Sequence, residues 1–226
     1  MNSKEFCWHR YSPKGKCPYK DKVDCSNCQI RLQMLFEKNN FIYLTMPKCG
    51  STSIHNTLGT QQDVTFLPIE EIVNKDKYIF TFVRNPWSRL LSCWNGWVHN
   101  VFKNNGRLFQ IDGIEKGMSF KDFVKVIQYI DDVNSDQHFV SLSYITEYKG
   151  KNIVDYVGKV ENMLDDWKPL MDKFGFRQVK HLAKTNIGKE LLYHYDDETI
   201  DIVNKRYHND IIKFNYDIEK IIKTIK

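Results

Sequence analysis

One short segment of the chain combines a lysine, a glycine and three hydroxyl residues in a pattern that suits a bound phosphate or sulfate. Lys48 supplies a full positive charge, and Gly50 lets the backbone approach an anion closely. The segment precedes a stretch of helical character, and the first amides of a helix bind anions. In a Walker A loop, by contrast, the lysine follows the second glycine. The candidate anion-binding residues are Pro47, Lys48, Cys49, Gly50, Ser51, Thr52 and Ser53.

A second candidate anion-binding pair lies further along the chain. Arg84 follows an apolar run, and Ser92 lies about two turns into the next helical segment, which begins with Asn85 and Pro86 as an N-cap and first helical residue. The planar guanidinium group matches phosphate oxygens, and the serine hydroxyl adds a donor. Each segment also has a purely structural interpretation, as a capped helix beside a surface cation. Two such segments together favour a ligand with two anionic groups.

Both segments follow predicted strands, at the position where open α/β sheets bind ligands. Residues 41–46 and 77–83 are rich in β-branched and aromatic residues, and residues 153–160 form a third predicted strand. The nearly continuous apolarity of residues 77–83 indicates a sheet covered on both faces. Strands that alternate with helical patterns predict an α/β fold, with a central, mostly parallel sheet flanked by helices.

Several helices are predicted from capping residues and apolar spacing. Ser119 opens a helix whose buried face begins at Phe120, and Asp197 caps a long helix with an apolar stripe that extends to Phe214. The remaining predicted helices cover residues 29–38, 52–58, 86–99, 161–175 and 218–226.

The composition is that of an ordinary globular protein. The chain has 226 residues, of which 42% are hydrophobic and 27% charged, which excludes collagen-like and wholly disordered classes. No apolar run reaches the roughly 18–20 residues that a membrane span needs, and the first residues lack the apolar core of a signal peptide. We therefore expect a cytoplasmic protein, unless the sequence is truncated and the protein is Golgi-lumenal.

The first forty residues differ from the rest in charge and cysteine content. They carry a net charge of +4, out of +5 for the whole chain, which leaves the remainder nearly neutral. The sequence thus predicts a short Cys-rich basic arm over residues 1–39 and a main domain over residues 40–226. Four arm cysteines, two of them in a C-x2-C pair, are candidates for structural zinc, although free thiols and disulfides stay open. They are Cys7, Cys17, Cys25 and Cys28.

The two anion-binding segments, taken in order, resemble the donor-binding motifs of a known family. Residues 47–53 resemble the 5′-phosphosulfate loop of sulfotransferases that use 3′-phosphoadenosine 5′-phosphosulfate (PAPS), and residues 83–92 resemble their 3′-phosphate motif. Further segments resemble the carbohydrate branch, usually found in the Golgi, although Ala183 and Asn215 depart from its pattern. These segments are residues 136–139, 156–166, 181–185 and 207–216.

The resemblance implies a P-loop-like sulfotransferase fold over residues 40–217, and a transfer of a sulfuryl group from PAPS to a hydroxyl, with a carbohydrate as the favoured acceptor. Lys48 would stabilise the leaving nucleotide, PAP, and residues 47–53 would cradle its 5′-phosphate. Arg84 and Ser92 would bind its 3′-phosphate. Lys184 and Thr185 would close over the nucleotide.

The general base that deprotonates the acceptor is less sharply indicated. His138 is the first candidate, from the Asp-x-His segment, and His99 is the second. Glu161 is interpreted as a structural acid at the end of the third strand. Three tryptophans could stack on a sugar, although core packing is favoured for most of them. They are Trp87, Trp94 and Trp97.

Two rival functions remain at this point. A P-loop phosphotransferase shares the strand–loop–helix arrangement, but the chain lacks the Walker A lysine and an evident magnesium carboxylate after the second strand. A nucleic-acid-binding module could use the basic Cys-rich arm, but no such motif covers the rest of the chain. The expected partners are therefore PAPS and a hydroxyl acceptor, with no nucleic acid and no membrane span, and the oligomeric state is open.

Overall fold

A computed structural model of the chain describes residues 32–38, 40–59, 64–99, 113–180, 191 and 193–225. A five-stranded sheet lies at its centre, and a two-stranded hairpin of β5 (Glu147–Tyr148) and β6 (Lys151–Asn152) lies apart from it. The strands of the central sheet are β1 (Leu32–Glu37), β2 (Phe41–Leu44), β3 (Thr65–Pro68), β4 (Tyr78–Val83) and β7 (Tyr156–Lys159).

The strand order is β3-β1-β2-β4-β7. β1 pairs antiparallel with both of its neighbours, whereas β2 pairs with β4, and β4 with β7, in parallel. Four of the five strands therefore run in one direction, which confirms the mostly parallel α/β sheet. The carboxyl ends of β2, β4 and β7 meet at one edge, where ligands bind in such sheets.

Helices surround this sheet and complete the fold. A π-helical turn (Asn95–His99) directly follows α3, and a 3-10 turn (Val160–Asn162) directly follows β7. The helices are α1 (Ser51–Leu58), α2 (Ile69–Val73), α3 (Pro86–Trp94), α4 (Phe120–Ile127), α5 (Leu142–Thr146), α6 (Met163–Asp166), α7 (Lys168–Phe174), α8 (Asp197–Arg206), α9 (His208–Lys213) and α10 (Ile218–Ile225).

Side-chain alternation along the central strands explains why both faces of the sheet are covered. On β2, Ile42 packs on one face with residues of α5, whereas Tyr43 packs on the other face with Trp167 and its neighbours. On β4, Ile79 and Phe80 divide in the same way. A third apolar cluster joins α3, α4 and α8 beside the sheet. These clusters hold the strand ends that carry the candidate site.

Two predicted helices need correction. The helix predicted over residues 29–38 is wrong, because Leu32–Glu37 pairs on both sides as strand β1 and this pairing overrides its local preference. The helix predicted from Asp197 is capped one residue earlier, by Asp196, which accepts a hydrogen bond from the Thr199 amide. Its apolar stripe spans two helices, α8 and α9, which meet at Tyr207. The sequence patterns also missed β3, α2 and the β5–β6 hairpin.

Candidate functional site

The loop that follows β2 turns sharply because two of its residues have left-handed backbone conformations. Lys48 has a φ of 66° and Gly50 a φ of 73°. For lysine this conformation costs about 1–2 kcal/mol, so the surrounding contacts must hold it. A Cβ atom at position 50 would overlap the end of the Met163 side chain, so the left-handed conformation and the close packing both favour glycine here.

The first turn of α1 leaves backbone amides without a helical acceptor. The helical hydrogen bonds begin with the Ile54 amide, which donates to the Gly50 carbonyl over 3.2 Å. Gly50, as the N-cap, brings no side chain that could cap the preceding amides, and the first turn contains no acidic residue. The amides of residues 51–53 thus form a positive end of the helix that suits an anion. Among the hydroxyl residues, Thr52 is exposed and Ser53 is buried.

Arg84 connects the end of β4 to this loop. Its Nη1 donates a hydrogen bond to the Lys48 carbonyl oxygen over 3.1 Å, and its Nε donates to Ser88 Oγ over 2.9 Å. The remaining nitrogen, Nη2, makes no hydrogen bond with the residues that the structure describes. Asn85 caps α3 by accepting from the Ser88 amide, which confirms the predicted N-cap. Ser92 lies on α3 and is partly exposed.

Glu161 ties the ends of β4 and β7 together. One of its carboxylate oxygens accepts hydrogen bonds from the Asn85 amide over 2.8 Å and from Asn85 Nδ2 over 2.6 Å. The other accepts from the Tyr216 hydroxyl over 3.3 Å. The interpretation of Glu161 as a structural acid therefore agrees with its contacts.

The Lys48 side chain extends across the site towards the π-helical turn after α3. A Cβ atom built onto Gly96 would lie 2.7 Å from Lys48 Nζ, so the ammonium group lies directly against the backbone there. Loss of solvent around the ammonium lowers the pKa of Lys48; Arg84 also lowers it, whereas Cys93 acts in the opposite direction. A partly desolvated cation interacts strongly with any negative charge that develops beside it.

Burial disfavours the thiolate form of the two cysteines near Lys48. Burial raises the pKa of Cys49 to about 11 and that of Cys93 to about 12, and both thiols are fully enclosed. Since the thiolate is the reactive form, these residues act as small apolar packing groups.

His138 and Asp136 form a pair in the segment between α4 and α5. His138 Nδ1 lies 2.6 Å from Asp136 Oδ1, which also accepts a hydrogen bond from the His138 amide over 2.8 Å. Asp136 is buried, whereas the imidazole keeps 12% of its side-chain surface exposed. Because a carboxylate only accepts hydrogen bonds, Nδ1 donates and Nε2 is the nitrogen that can take a proton.

Buried Arg89 brings the segment with His138 next to the loop with Lys48. Its Nε donates to the Pro47 carbonyl over 3.3 Å, and its other nitrogens donate to the Gln137 carbonyl over 3.1 Å and the Val140 carbonyl over 2.6 Å. This single guanidinium group therefore fixes the distance between the two candidate catalytic regions.

The segment 132–143 is further held by side chains from α8 and α9. Arg206 donates to Asp132 over 2.7 Å, and Asp210 accepts from the amides at the start of α5 over 2.7 and 2.8 Å. Tyr207 follows α8, and its hydroxyl donates a hydrogen bond to the Phe139 carbonyl. These contacts hold His138 from a part of the chain about seventy residues away.

Comparison with protein families shows the family to which the chain belongs. A sequence model described as "Sulfotransferase family" matches residues 32–217. The chain belongs to the sulfotransferase family. This sulfotransferase is thus an enzyme of sulfuryl transfer, with PAPS as the donor used by its family. No curated protein and no solved structure matches the chain.

The structure of this sulfotransferase brings most of the predicted site residues to one edge of the sheet. The loop 47–53 and Arg84 are in direct contact, Ser92 lies on the helix that follows Arg84, and His138 is joined to the loop through Arg89. Trp87 and Trp94 lie in the apolar core, as favoured from the sequence. Several predicted residues lie outside the described residues or have side chains outside them: Lys184, Thr185, His99, Trp97, Cys7, Cys17, Cys25 and Cys28.

The described part of the sulfotransferase contains neither a metal-binding cluster nor a membrane-spanning helix. Within it, no group of three or more His, Cys, Asp or Glu side chains is placed to hold a metal ion. No helix among the same residues has both the length and the apolarity to cross a membrane.

Sequence reasoning about this sulfotransferase missed Arg89 and Gly96. Arg89 lies inside the motif that contains Arg84 and Ser92, but nothing in its spacing indicates that it is buried with three carbonyl partners. Gly96 lies within the helix predicted over residues 86–99, where glycine is an unfavourable residue. Its presence there was the signal that could have indicated a special position.

Proposed function

We propose that this enzyme transfers a sulfuryl group from PAPS to a hydroxyl group of a carbohydrate, with Lys48 and His138 as its catalytic residues. The observation that carries the proposal is the contact between the Arg84 guanidinium and the Lys48 carbonyl. It joins the two segments that resemble donor-binding motifs, at the ends of neighbouring parallel strands, where open α/β sheets bind ligands.

The residues at this edge fit the donor chemically. PAPS, when bound, supplies an activated sulfuryl group attached to a phosphate that leaves with the nucleotide. The amides of residues 51–53 and the hydroxyls beside them offer donors for the 5′-phosphate, since α1 opens without an acidic residue. Arg84 and Ser92 offer a guanidinium group and a hydroxyl for the 3′-phosphate.

Lys48 would stabilise the negative charge that grows on the leaving phosphate. Its ammonium group is partly desolvated, so it interacts with this charge more strongly than a lysine in water would. The strained backbone at Lys48 and the hydrogen bond from Arg84 to its carbonyl fix the start of the side chain. The contribution of Lys48 is therefore positioning and charge stabilisation.

His138 would take the proton from the acceptor hydroxyl. Asp136 fixes the imidazole through Nδ1, so Nε2 is the basic nitrogen. Arg89 links the His138 segment to the Lys48 loop, which lets the base and the leaving-group cation act on the two ends of one transfer.

A transfer assay with radiolabelled PAPS tests the proposal. We expect the wild-type enzyme to label members of a panel of polysaccharides and oligosaccharides, and the Lys48→Ala variant to label them only weakly. Peptides and small phenols, at the same concentrations, serve as acceptors from other classes. Labelling of these alone would contradict the carbohydrate acceptor, and equal labelling by the variant would contradict the role of Lys48.

We also propose that the arm cysteines, which lie outside the described residues, bind a structural zinc ion without a part in the reaction. Cys25 and Cys28 form the C-x2-C pair that zinc sites use. Metal analysis of the purified full chain should find about one zinc per chain. A Cys25→Ser/Cys28→Ser variant should contain none, and a wild-type chain without zinc would contradict the proposal.

A further inference from the structure

The geometry assigns Gly96 as a positioning residue for Lys48, because the missing side chain at position 96 provides the space that the Lys48 ammonium group occupies. This inference rests on the proposed role of Lys48 in the transfer and adds a residue to it. Gly96 lies in the π-helical turn Asn95–His99.

The contact between these residues leaves no room for a side chain. A Cβ atom at Gly96 would lie 2.7 Å from Lys48 Nζ and 3.9 Å from Lys48 Cε. No real methyl group is found so close to a nitrogen without displacement of one of them. Because Nζ is the end of a flexible side chain, Lys48 would move while the backbone around position 96 stays in place.

The backbone conformation gives no other reason for this glycine. Six of the glycines that the structure describes have a positive φ, and Gly96 is not one of them. The other exception, Gly158, packs against the Phe82 ring, where a Cβ atom would overlap the ring. Glycine stabilises a helical stretch less than alanine does. The space that Lys48 occupies is therefore the reason that the structure offers for glycine at position 96.

Gly96 also lies on the helical segment that carries Ser92, which is proposed to bind the 3′-phosphate. Gly96 follows Ser92 by four residues, so both lie towards the same side of the helical segment. Arg84 interacts electrostatically with the Lys48 ammonium. The π-helical turn continues α3 on this side, and such turns are frequent at functional sites.

Gly96→Ala tests the inference through the split between kcat and binding. We expect kcat to fall about 10- to 100-fold, since a displacement of about 1 Å at a reacting centre has effects of this size. PAP affinity, measured by calorimetry, should stay within about twofold, because Arg84, Ser92 and the amides of residues 51–53 are unchanged. The melting temperature should stay the same or rise by a few degrees, as expected for alanine in a helical position.

A double variant separates action through Lys48 from any other effect. If Gly96 acts only through Lys48, the Lys48→Ala/Gly96→Ala protein transfers sulfate at the same residual rate as Lys48→Ala alone. A further loss of rate in the double variant would overturn the inference. A lower melting temperature of Gly96→Ala would also overturn it, because the glycine would then be required for folding.

A labelling experiment tests the position of Lys48 independently of activity. Competitive acetylation with acetic anhydride, followed by mass spectrometry of the Lys48 peptide, gives the pH at which this lysine becomes reactive. In Gly96→Ala that pH should rise, because the displaced ammonium is better solvated, while the exposed Lys205 serves as the reference. An unchanged labelling profile would overturn the inference. A shifted profile in an enzyme that transfers no sulfate would contradict the proposed function alone.

Discussion

The loop of residues 45–50 and the segment of residues 132–143 carry the proposed donor-side and acceptor-side residues, and they are held in different ways. The loop continues a buried strand, turns through two left-handed residues and enters α1, and Arg84 and Arg89 hold the carbonyls of Lys48 and Pro47 within it. The segment has little regular structure before α5 and is held by buried side chains from α3, α8 and α9.

Because of this difference, function and folding stability should be separable in the loop and coupled in the segment. On the donor side, the groups proposed to act on PAPS can be removed while the strand and helix that form the loop remain. On the acceptor side, the hydrogen bonds that place His138 also connect α5, α8 and α9 to the core. Substitutions should therefore change chemistry alone in the loop, and chemistry together with stability around the segment.

Lys48→Ala should have the largest effect, and it tests the donor side of this comparison. We expect kcat to fall by about 10²- to 10³-fold, as for the loss of one preorganised group that stabilises transition-state charge. The melting temperature should change little, because the lysine side chain is not part of the apolar core. A large loss of stability would show that the loop depends on its side chains as the segment does.

The titration of Lys48 should make the activity of the enzyme depend on pH. The ammonium form is the stabilising one, and its pKa lies below the usual value of 10.5 because of desolvation. Activity should therefore decline with rising pH below that value, as Lys48 loses its proton. A Lys48→Arg enzyme with residual activity should lack this alkaline decline, since arginine stays protonated. A decline at the same pH in both enzymes would assign it to another group.

His138→Asn tests the acceptor side. We expect kcat to fall about 10²-fold or more, as for the loss of a general base, with PAP affinity unchanged. Asp136→Asn should have a smaller effect, because the imidazole remains but loses its carboxylate partner. If the two substitutions left kcat unchanged and only lowered the melting temperature, the pair would be structural.

The same difference between the loop and the segment explains which structural features could be predicted from the sequence. The strand, turn and helix around Lys48 lie within about twenty consecutive residues, so the apolar pattern, the glycine and the capping residues are enough to indicate the loop. Asn85 at the N-cap of α3 is predictable for the same reason. Local signals of this kind depend on neighbours in the chain.

The partners of the segment could not be predicted in this way. Asp132 and Arg206 are 74 positions apart, and no periodic pattern connects them. Likewise, the local pattern of β1 predicts a helix, because its pairing with β2 and β3 depends on residues outside its own stretch. His138 is indicated only by the family resemblance, which supplies long-range information that spacing does not.

Arg84→Ala should weaken PAP binding by about 10- to 100-fold, because a charge-assisted hydrogen bond to the 3′-phosphate is lost. Calorimetric titration with PAP and with adenosine 5′-phosphate, which lacks the 3′-phosphate, gives the sharper measurement. The variant should lose much of the preference for PAP while its affinity for adenosine 5′-phosphate changes little. Equal weakening for both nucleotides would mean that Arg84 acts through its hydrogen bond to the Lys48 carbonyl.

Tyr207→Phe should have the smallest effect, and it has a matched control elsewhere in the core. The substitution leaves the buried Phe139 carbonyl without its donor, so the free energy of unfolding should fall by about 1–2 kcal/mol. The Tyr43 hydroxyl is equally buried but has no hydrogen-bond partner among the described residues, so Tyr43→Phe should leave stability unchanged or raise it. Denaturant unfolding measures both.

Because Phe139 adjoins His138, a loss of kcat should accompany the loss of stability in Tyr207→Phe but not in Tyr43→Phe. Equal effects of the two substitutions on both measurements would mean that the segment is not held by its side-chain hydrogen bonds.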